Sequence, residues 1–332
     1  MIAVVIPFYQ REPGLLHKCL RSAFAQRDVG EKVQILIVDD ESPVSAESEL
    51  ATLGATPKFP VRVLRQRNAG PGAARNTALD NLPLGTRYVA FLDSDDEWSV
   101  DHLAHALRAL RAGHDMYFAN FLHLGSTVSA FDRRKRLDLS EHPAIDAEGV
   151  LRSYTGDMFN QVLSGNVIMT STVVFDAVKF NDVRFRPDLR FAGEDYLFWM
   201  ALAKAGGRFA FSTDVELTCG RGVNVNAGSI WGTDGLAPRT RDEIRFKKII
   251  GQLYPVTDQQ RRQLKINIRD LRKVFALDCL HRVRHRKPLA WKVIRDQVGS
   301  DPLTLLAVFS ALTKVVSRRI PAEDTARQAP GP

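Results

Sequence analysis

The chain has 332 residues, 45% hydrophobic and 25% charged, enough for one large domain or a domain with an appendage and ordinary for a globular protein. No apolar stretch approaches the ~20 residues that span a bilayer, and Met1 runs straight into Ile2-Ala-Val-Val-Ile6, so neither a membrane span nor a secretory signal is expected. The net charge of +8 is uneven, because residues 241–320 hold 19 Lys and Arg against 7 Asp and Glu while residues 1–240 hold 26 against 29. A single-sign region implies an anionic partner, either nucleic acid or an anionic membrane surface. Nucleic acid is the weaker of the two, since the basic part has no interleaved aromatics and no known module. Cys19, Cys219 and Cys279 are isolated and lack metal-ligand spacing, which fits reduced thiols in a cytoplasmic protein.

In chain order, Ala3–Ile6 reads as a short strand ended by Pro7, and Leu15, Leu16, Cys19, Leu20, Ala23 and Phe24 recur at helical spacing. Val33–Val38 is a second strand ending in Asp39, Asp40 and Glu41, and Val61–Leu64 is a third. The Asn68–Asn76 stretch opens the next helix, with Gly70 and Gly72 permitting close backbone approach. Tyr88–Leu92 has no polar residue and reads as a strand buried on both faces that delivers Asp93 to the sheet edge, where α/β proteins bind ligands. Asp93 and Asp95 are two apart and in extended chain face the same way, so they can converge on a hard cation or on a cation and a sugar hydroxyl. The bland alternative is that Asp95 or Ser99 only starts the helix over Asp101–Ala112. Alternating strands and helices argue for a mostly parallel sheet.

Further along, Met116–Leu122, Thr127–Phe131 and Gly165–Phe175 read as strands, and Arg133–Arg136 as a solvated basic loop, with contact to an anionic acceptor as the minority reading. Gly193-Glu194-Asp195 starts a helix running to about Ala205. Its carboxylates either serve the helix dipole or hold a base at the cleft. From about residue 240 the pattern becomes helical, over Arg241–Leu253, Asp258–Arg286, Leu289–Val298 and Pro302–Arg319. The last segment carries Leu303, Leu305, Leu306, Val308, Phe309, Leu312, Val315 and Val316, then Arg318 and Arg319. It either lies in a membrane interface or packs on the catalytic domain. The tail, 321–332, reads as disordered.

Taken together, Val4-Val-Ile-Pro-Phe-Tyr9, Ile37-Val-Asp-Asp-Glu-Ser42, Asn68 to Asn76, Phe91-Leu-Asp-Ser-Asp-Asp96 and Gly193-Glu-Asp195 resemble the family 2 glycosyltransferases. The resemblance implies a GT-A fold, α/β with a mostly parallel central sheet flanked by helices, over residues 1–235, with nucleotide binding at 1–115 and acceptor binding at 116–235. Residues 236–320 would then be a basic helical extension. Within the family the blocks are similar to those of glucosyltransferases of succinoglycan-like exopolysaccharide assembly. That similarity implies UDP-glucose as donor, a β linkage with β-1,3 as candidate, and an undecaprenyl-diphosphate-linked oligosaccharide acceptor at the inner membrane face.

The resemblance also implies roles for single residues. Asp39 would accept the uracil N3–H, with Pro7, Tyr9 and Glu41 lining the base and ribose pocket. Arg75 would lie near the diphosphate. Asp93 would contact ribose or sugar, and Asp95 would bind Mg²⁺ or Mn²⁺. Asp195 would be the general base of an inverting displacement, with Glu194 and Trp199 on the acceptor side. Many relatives carry a His after the base, whereas Cys219-Gly-Arg-Gly-Val-Asn-Val-Asn226 has none, so Arg221 is expected at the diphosphate and the third metal ligand stays open. The Gln-x-x-Arg-Trp motif of processive synthases is absent, which points to single additions. The rivals are a non-catalytic binder of nucleotide sugar or membrane and a sugar nucleotidyltransferase. The latter would need a Gly-rich N-terminal phosphate loop that Val4–Arg11 does not supply.

Overall fold

Seven consecutive residues, Ile2–Phe8, are all buried and form β1, the strand on which the parallel half of the sheet is built. In this computed structural model residues 1–54, 56–222 and 231–316 are described. Asn224, Asn226, Arg318, Arg319 and the tail 321–332 lie outside them, as do the side chains of Leu312, Val315 and Val316. After β1 come α1 (Leu15–Phe24), β2 (Val33–Asp39), α2 (Ala46–Thr52), β3 (Val61–Arg65), α3 (Pro71–Asp80), β4 (Tyr88–Phe91) and β5 (Glu97–Trp98). Next are α4 (His102–Arg111), β6 (Met116–Leu122), α5 (Ala130–Arg134), β7 (Leu151–Ser153), α6 (Met158–Gly165), β8 (Val174–Asp176), α7 (Glu194–Lys204) and β9 (Phe209–Thr218). The chain continues through α8 (Leu236–Leu253), α9 (Asp258–Arg284), α10 (Trp291–Ser300) and α11 (Thr304–Val316).

Among the described residues the strands form one sheet in the order β3-β2-β1-β4-β8-β6-β9-β5, with β7 on β9. The first four strands are parallel, with Ile2 opposite both Val33 and Tyr88, so β2, β1 and β4 end at one edge. The strand β8 then runs antiparallel between β4 and β6, and the rest of the sheet is mixed. The apolar stripe of α1 (Leu16, Cys19, Leu20, Ala23) is buried, as its 3.6-residue spacing requires. All three cysteines are free.

Two expected strands are absent. Thr127–Phe131 is a turn leading into α5, because the Ser129 side chain accepts from the Asp132 N–H and caps a helix. Most of Gly165–Phe175 is irregular. The Asn166 side chain bonds both the N–H and the carbonyl of Ile168, a 3₁₀ turn occupies Thr170–Thr172, and only Val174–Asp176 joins the sheet.

Behind the acidic turn after β4, buried Glu216 of β9 accepts from the Tyr117 hydroxyl at 2.7 Å and meets His102 Nδ1 at 2.8 Å and His105 Nδ1 at 2.6 Å. This cluster joins α4, β6 and β9, while the Trp98 ring lies 4.7 Å from that of His102.

The chain divides into two compact units. The first holds Met1–Asp188 and Glu194–Val223, and the second holds Leu189–Gly193 with the chain from residue 224 on. In the second unit Ile244, Phe246, Ile250, Leu264, Phe275 and Ala276 are buried among the helices. Arg272 there forms a two-pronged pair with Asp301 at 2.7 and 2.6 Å. Asp242, fully buried, accepts from the backbone N–H groups of Arg190 and Phe191 at 3.0 Å each. No helix among the described residues is long and apolar enough to cross a membrane.

Candidate active site

Because β4 is apolar to its last residue, the chain cannot turn until Asp93, and the turn that follows holds three carboxylates. Asp93 is one-third exposed. The turn closes with the Asp96 N–H donating to the Asp93 carbonyl at 3.0 Å. Ser171 anchors it: its hydroxyl accepts from the Asp93 N–H at 3.1 Å and bonds the Asp96 carboxylate. On the other side the loop after β9 closes over the turn, the Gly220 N–H donating to Asp96 at 3.0 Å and the Gly222 N–H to Asp95 at 2.7 Å. Neither glycine tolerates a side chain, since a Cβ on Gly220 would lie 1.5 Å from the Asp95 carbonyl oxygen and one on Gly222 2.5 Å from Asp95 Cγ. Arg221, exposed between them, is thereby fixed in the sequence beside the acidic turn. Burial and the charges of Asp93 and Asp95 push Asp96 up to about 8, and burial with Asp93 raises Asp95.

At the edge where β1 and β2 end, Pro7 is buried at the end of β1 and Tyr9 half-buried just beyond it. Asp39 is buried and accepts from the N–H of Ser42 and of Ala46, both at 2.8 Å. Each of its oxygens keeps a lone pair for a ligand donor. Asp40, which sequence reasoning left without a role, ties β2 to α3 by accepting from the N–H groups of Ala69 and Gly70 at 2.8 Å each and from Gln66 at 2.7 Å. Glu41 has φ of 58° and accepts from the Asn68 N–H at 3.2 Å. A non-glycine residue there carries strain, a condition that concentrates at ligand sites.

Glu194 and Asp195 occupy the first turn of α7. The Asp195 carboxylate accepts from the Tyr196 N–H at 2.8 Å. Burial, then Asp195, push Glu194 up to about 8 against the pull of Arg75, and burial raises Asp195. Arg75 of α3 is 4% exposed, donates to Asp93 at 2.5 Å and lies 3.9 Å from Glu194. It thus links the acidic turn to the carboxylates of α7, and its buried Nε has no hydrogen-bond partner among the described residues. A Cβ on Gly72 would lie 3.2 Å from Glu194 Cγ, so glycine lets α3 approach α7 this closely.

Trp199 is corrected: it is fully buried and packs on Phe91, Phe185 and Phe198, so it is a core residue and not an acceptor contact. One helical turn after Asp195, α7 has its apolar face against the sheet. Sequence reasoning also passed over Asn76, which bonds both the carbonyl and the N–H of Phe185 at 2.8 Å and so holds the ring that stacks on Phe198 at 4.2 Å.

Among the described residues no group of three or more His, Cys, Asp or Glu side chains could hold a metal. A magnesium-sized cation asks for less, since it is commonly held by one or two carboxylates with substrate phosphates and water. Asp95 and Asp93 are the carboxylates of this turn that could supply such a site. Burial first, and then the neighbouring carboxylate charges, raise Asp95 and Asp96, and a divalent cation offsets that charge.

The model of the family described as glycosyl transferase family 2 matches residues 3–170. The succinoglycan biosynthesis protein ExoW of Rhizobium meliloti is 36% identical over 233 residues, 68% of this chain and 70% of that protein. Among solved structures, Staphylococcus aureus TarS 1–349 in complex with UDP-GlcNAc superposes with a TM-score of 0.53 at 17% identity, over 94% of this chain and 91% of that one. The mannosyltransferase PcManGT from Pyrobaculum calidifontis, in complex with GDP-Man and Mn²⁺, gives 0.55 at 14% identity, over 96% and 88%. Both share the GT-A fold.

Proposed function

The chain belongs to glycosyl transferase family 2 and is a glycosyltransferase. From that premise we propose that it transfers glucose from UDP-glucose, with inversion, to a lipid-linked oligosaccharide during assembly of a succinoglycan-like exopolysaccharide. The observation that supports this most is the buried Arg75, which holds the acidic turn and the α7 carboxylates in fixed relation through Asp93 and Glu194. Donor and base are thereby positioned by one rigid fork.

In this reading Asp39 accepts the uracil N3–H on its remaining lone pairs, and Pro7, Tyr9 and Glu41 line the base and ribose pocket. Asp93 contacts the ribose or the sugar, Arg221 the diphosphate. Asp95 holds Mg²⁺ or Mn²⁺, which when bound offsets charge on the departing diphosphate. Asp195 takes the proton of the acceptor hydroxyl as its oxygen bonds the anomeric carbon. The bond from that carbon to the UDP oxygen breaks with its electron pair on UDP, and attack from the opposite face inverts the centre. Burial raises the proton affinity of Asp195, which suits a carboxylate that must take a proton from an alcohol. Glu194 orients the acceptor or the helix. Arg75, expected at the diphosphate, acts in this reading through Asp93 and Glu194.

A peripheral site at the inner membrane face is part of the proposal. Leu303, Leu306, Phe309 and Trp291 are exposed by 53, 64, 64 and 70% within the basic helical unit. Deleting residues 288–332 is expected to abolish partitioning onto anionic vesicles, and unchanged partitioning sinks this part.

The deciding test is calorimetric titration with UDP-glucose and with competing UDP- and GDP-sugars, in Mn²⁺ and then in EDTA. Metal-dependent binding that prefers UDP-glucose is the expected result. No binding of any nucleotide sugar with metal present would favour the non-catalytic reading.

A further inference from the structure

The basic run that ends α5 and continues beyond it is not an evenly solvated surface. Arg134 is half-buried, and its guanidinium and that of Arg136 converge on one carbonyl oxygen, that of Asn166, at 3.5 and 3.1 Å. Both arginines border a narrow cleft with Phe121, Phe131 and Val167. Gly165 makes room for the second guanidinium, since a Cβ there would lie 2.9 Å from Arg136 Nε. Lys135 between them takes a left-handed φ of 45°, a conformation disfavoured for a side-chain-bearing residue. Among the described residues no carboxylate lies within 4.0 Å of the guanidiniums of Arg133, Arg134 or Arg136. The flanking acids are engaged locally: Asp132 accepts from the Ser129 hydroxyl and Asp138 from Ser140.

Like charges held this close without a counterion cost free energy. Burial, then Arg136, lower the pKa of Arg134, while burial with Arg133 and Arg134 hold neighbouring His123 down at about 4. The segment after Asn166 leads to Ser171, which anchors Asp93 and Asp96.

We propose that Arg133, Arg134 and Arg136 form a subsite for the diphosphate of the acceptor, the anionic link between its oligosaccharide and its carrier. The proposal rests on the transferase reading above and specifies the acceptor that this site selects. Several guanidiniums exceed what one sugar carboxylate neutralises, and their planar forks match phosphate oxygens. Preset on the Asn166 carbonyl, Arg134 and Arg136 lose little freedom when the anion arrives.

The test fills the donor site with UDP and excess Mg²⁺ and titrates farnesyl diphosphate calorimetrically. Saturable binding is expected, weakened at least about tenfold in Arg134→Gln/Arg136→Gln and partly restored in Arg134→Lys/Arg136→Lys, with the Kd for UDP unchanged. Competition by inorganic diphosphate supports the assignment to diphosphate. Wild-type affinity in the Gln pair overturns it, as does competition by farnesol or by glucuronate in place of diphosphate. Failure of UDP itself to bind is read in a separate titration and counts against the transferase reading instead.

Discussion

Gly222 donates its N–H to the Asp95 carboxylate at 2.7 Å, so the proposed metal ligand is oriented by a segment 127 residues further along the chain. A methyl group on Gly220 or Gly222 must displace the acidic turn. Gly220→Ala and Gly222→Ala are expected to cost about 1–3 kcal/mol of stability by overpacking. They should also weaken metal-dependent UDP binding about tenfold, measured by thermal denaturation and calorimetry. Unchanged UDP affinity in both would show that the loop has no part in holding the site.

Asp195→Asn keeps the shape and removes the basicity. Turnover should fall about 10²–10⁴-fold, the usual contribution of a positioned base, with the Kd for UDP unchanged. Near-normal kcat in this variant removes Asp195 from the chemistry.

Arg75→Ala leaves Asp93 and Glu194 without their shared cation. The loss expected for breaking a buried pair is about 3–5 kcal/mol. Arg75→Lys keeps the charge and loses the fork, so it should retain more stability than activity. Equal recovery of both in the Lys variant would mean that charge alone matters.

Trp199→Ala removes a buried indole from the Phe91, Phe185 and Phe198 cluster and should cost about 3–5 kcal/mol. In the folded fraction the acceptor KM should stay close to that of the parent. A raised acceptor KM with stability intact would restore the acceptor role withdrawn above.

The Glu216 cluster predicts the pH dependence of stability. Burial pulls Glu216 upward, but its bonds to His102 and His105 win and bring it from 4.5 down to about 2. Its contribution is therefore complete above pH 4.5 and lost as pH falls towards 2, a term on the order of 3 kcal/mol. The Glu216 bond raises His105 above 6.5, so that contribution is complete below pH 6.5 and lost as pH rises through the raised value. Stability from this cluster should thus peak between pH 4.5 and 6.5. Glu216→Gln should flatten both slopes of a Tm-against-pH curve, and an unaltered curve would show that the cluster does not set them.

The parallel half of the sheet was legible because β1, β2 and β4 are buried on both faces, and uninterrupted apolar runs have few other readings. The ends of those runs placed Asp39 and Asp93 at one edge. The mixed half was less legible, because short polar side chains there bond the nearby backbone. Ser129 caps α5 where a strand was expected, and Asn166 turns the chain at Ile168. Gly220 and Gly222 stood in plain view as a Gly-x-Gly, but glycine advertises only that something approaches. The Asp95 and Asp96 partners lie far away in sequence. Trp199 misled because helical position was known and helical facing was not.

The chain crosses between its two units at Asp188, again at Gly193 and a third time near Val223. The C-terminal helices therefore behave as a discontinuous module and not as a tail. A cut at residue 235 would take Asp242 from the amides of Arg190 and Phe191, a few residues before the proposed base. A chimera that exchanges these helices must then exchange residues 189–193 with them.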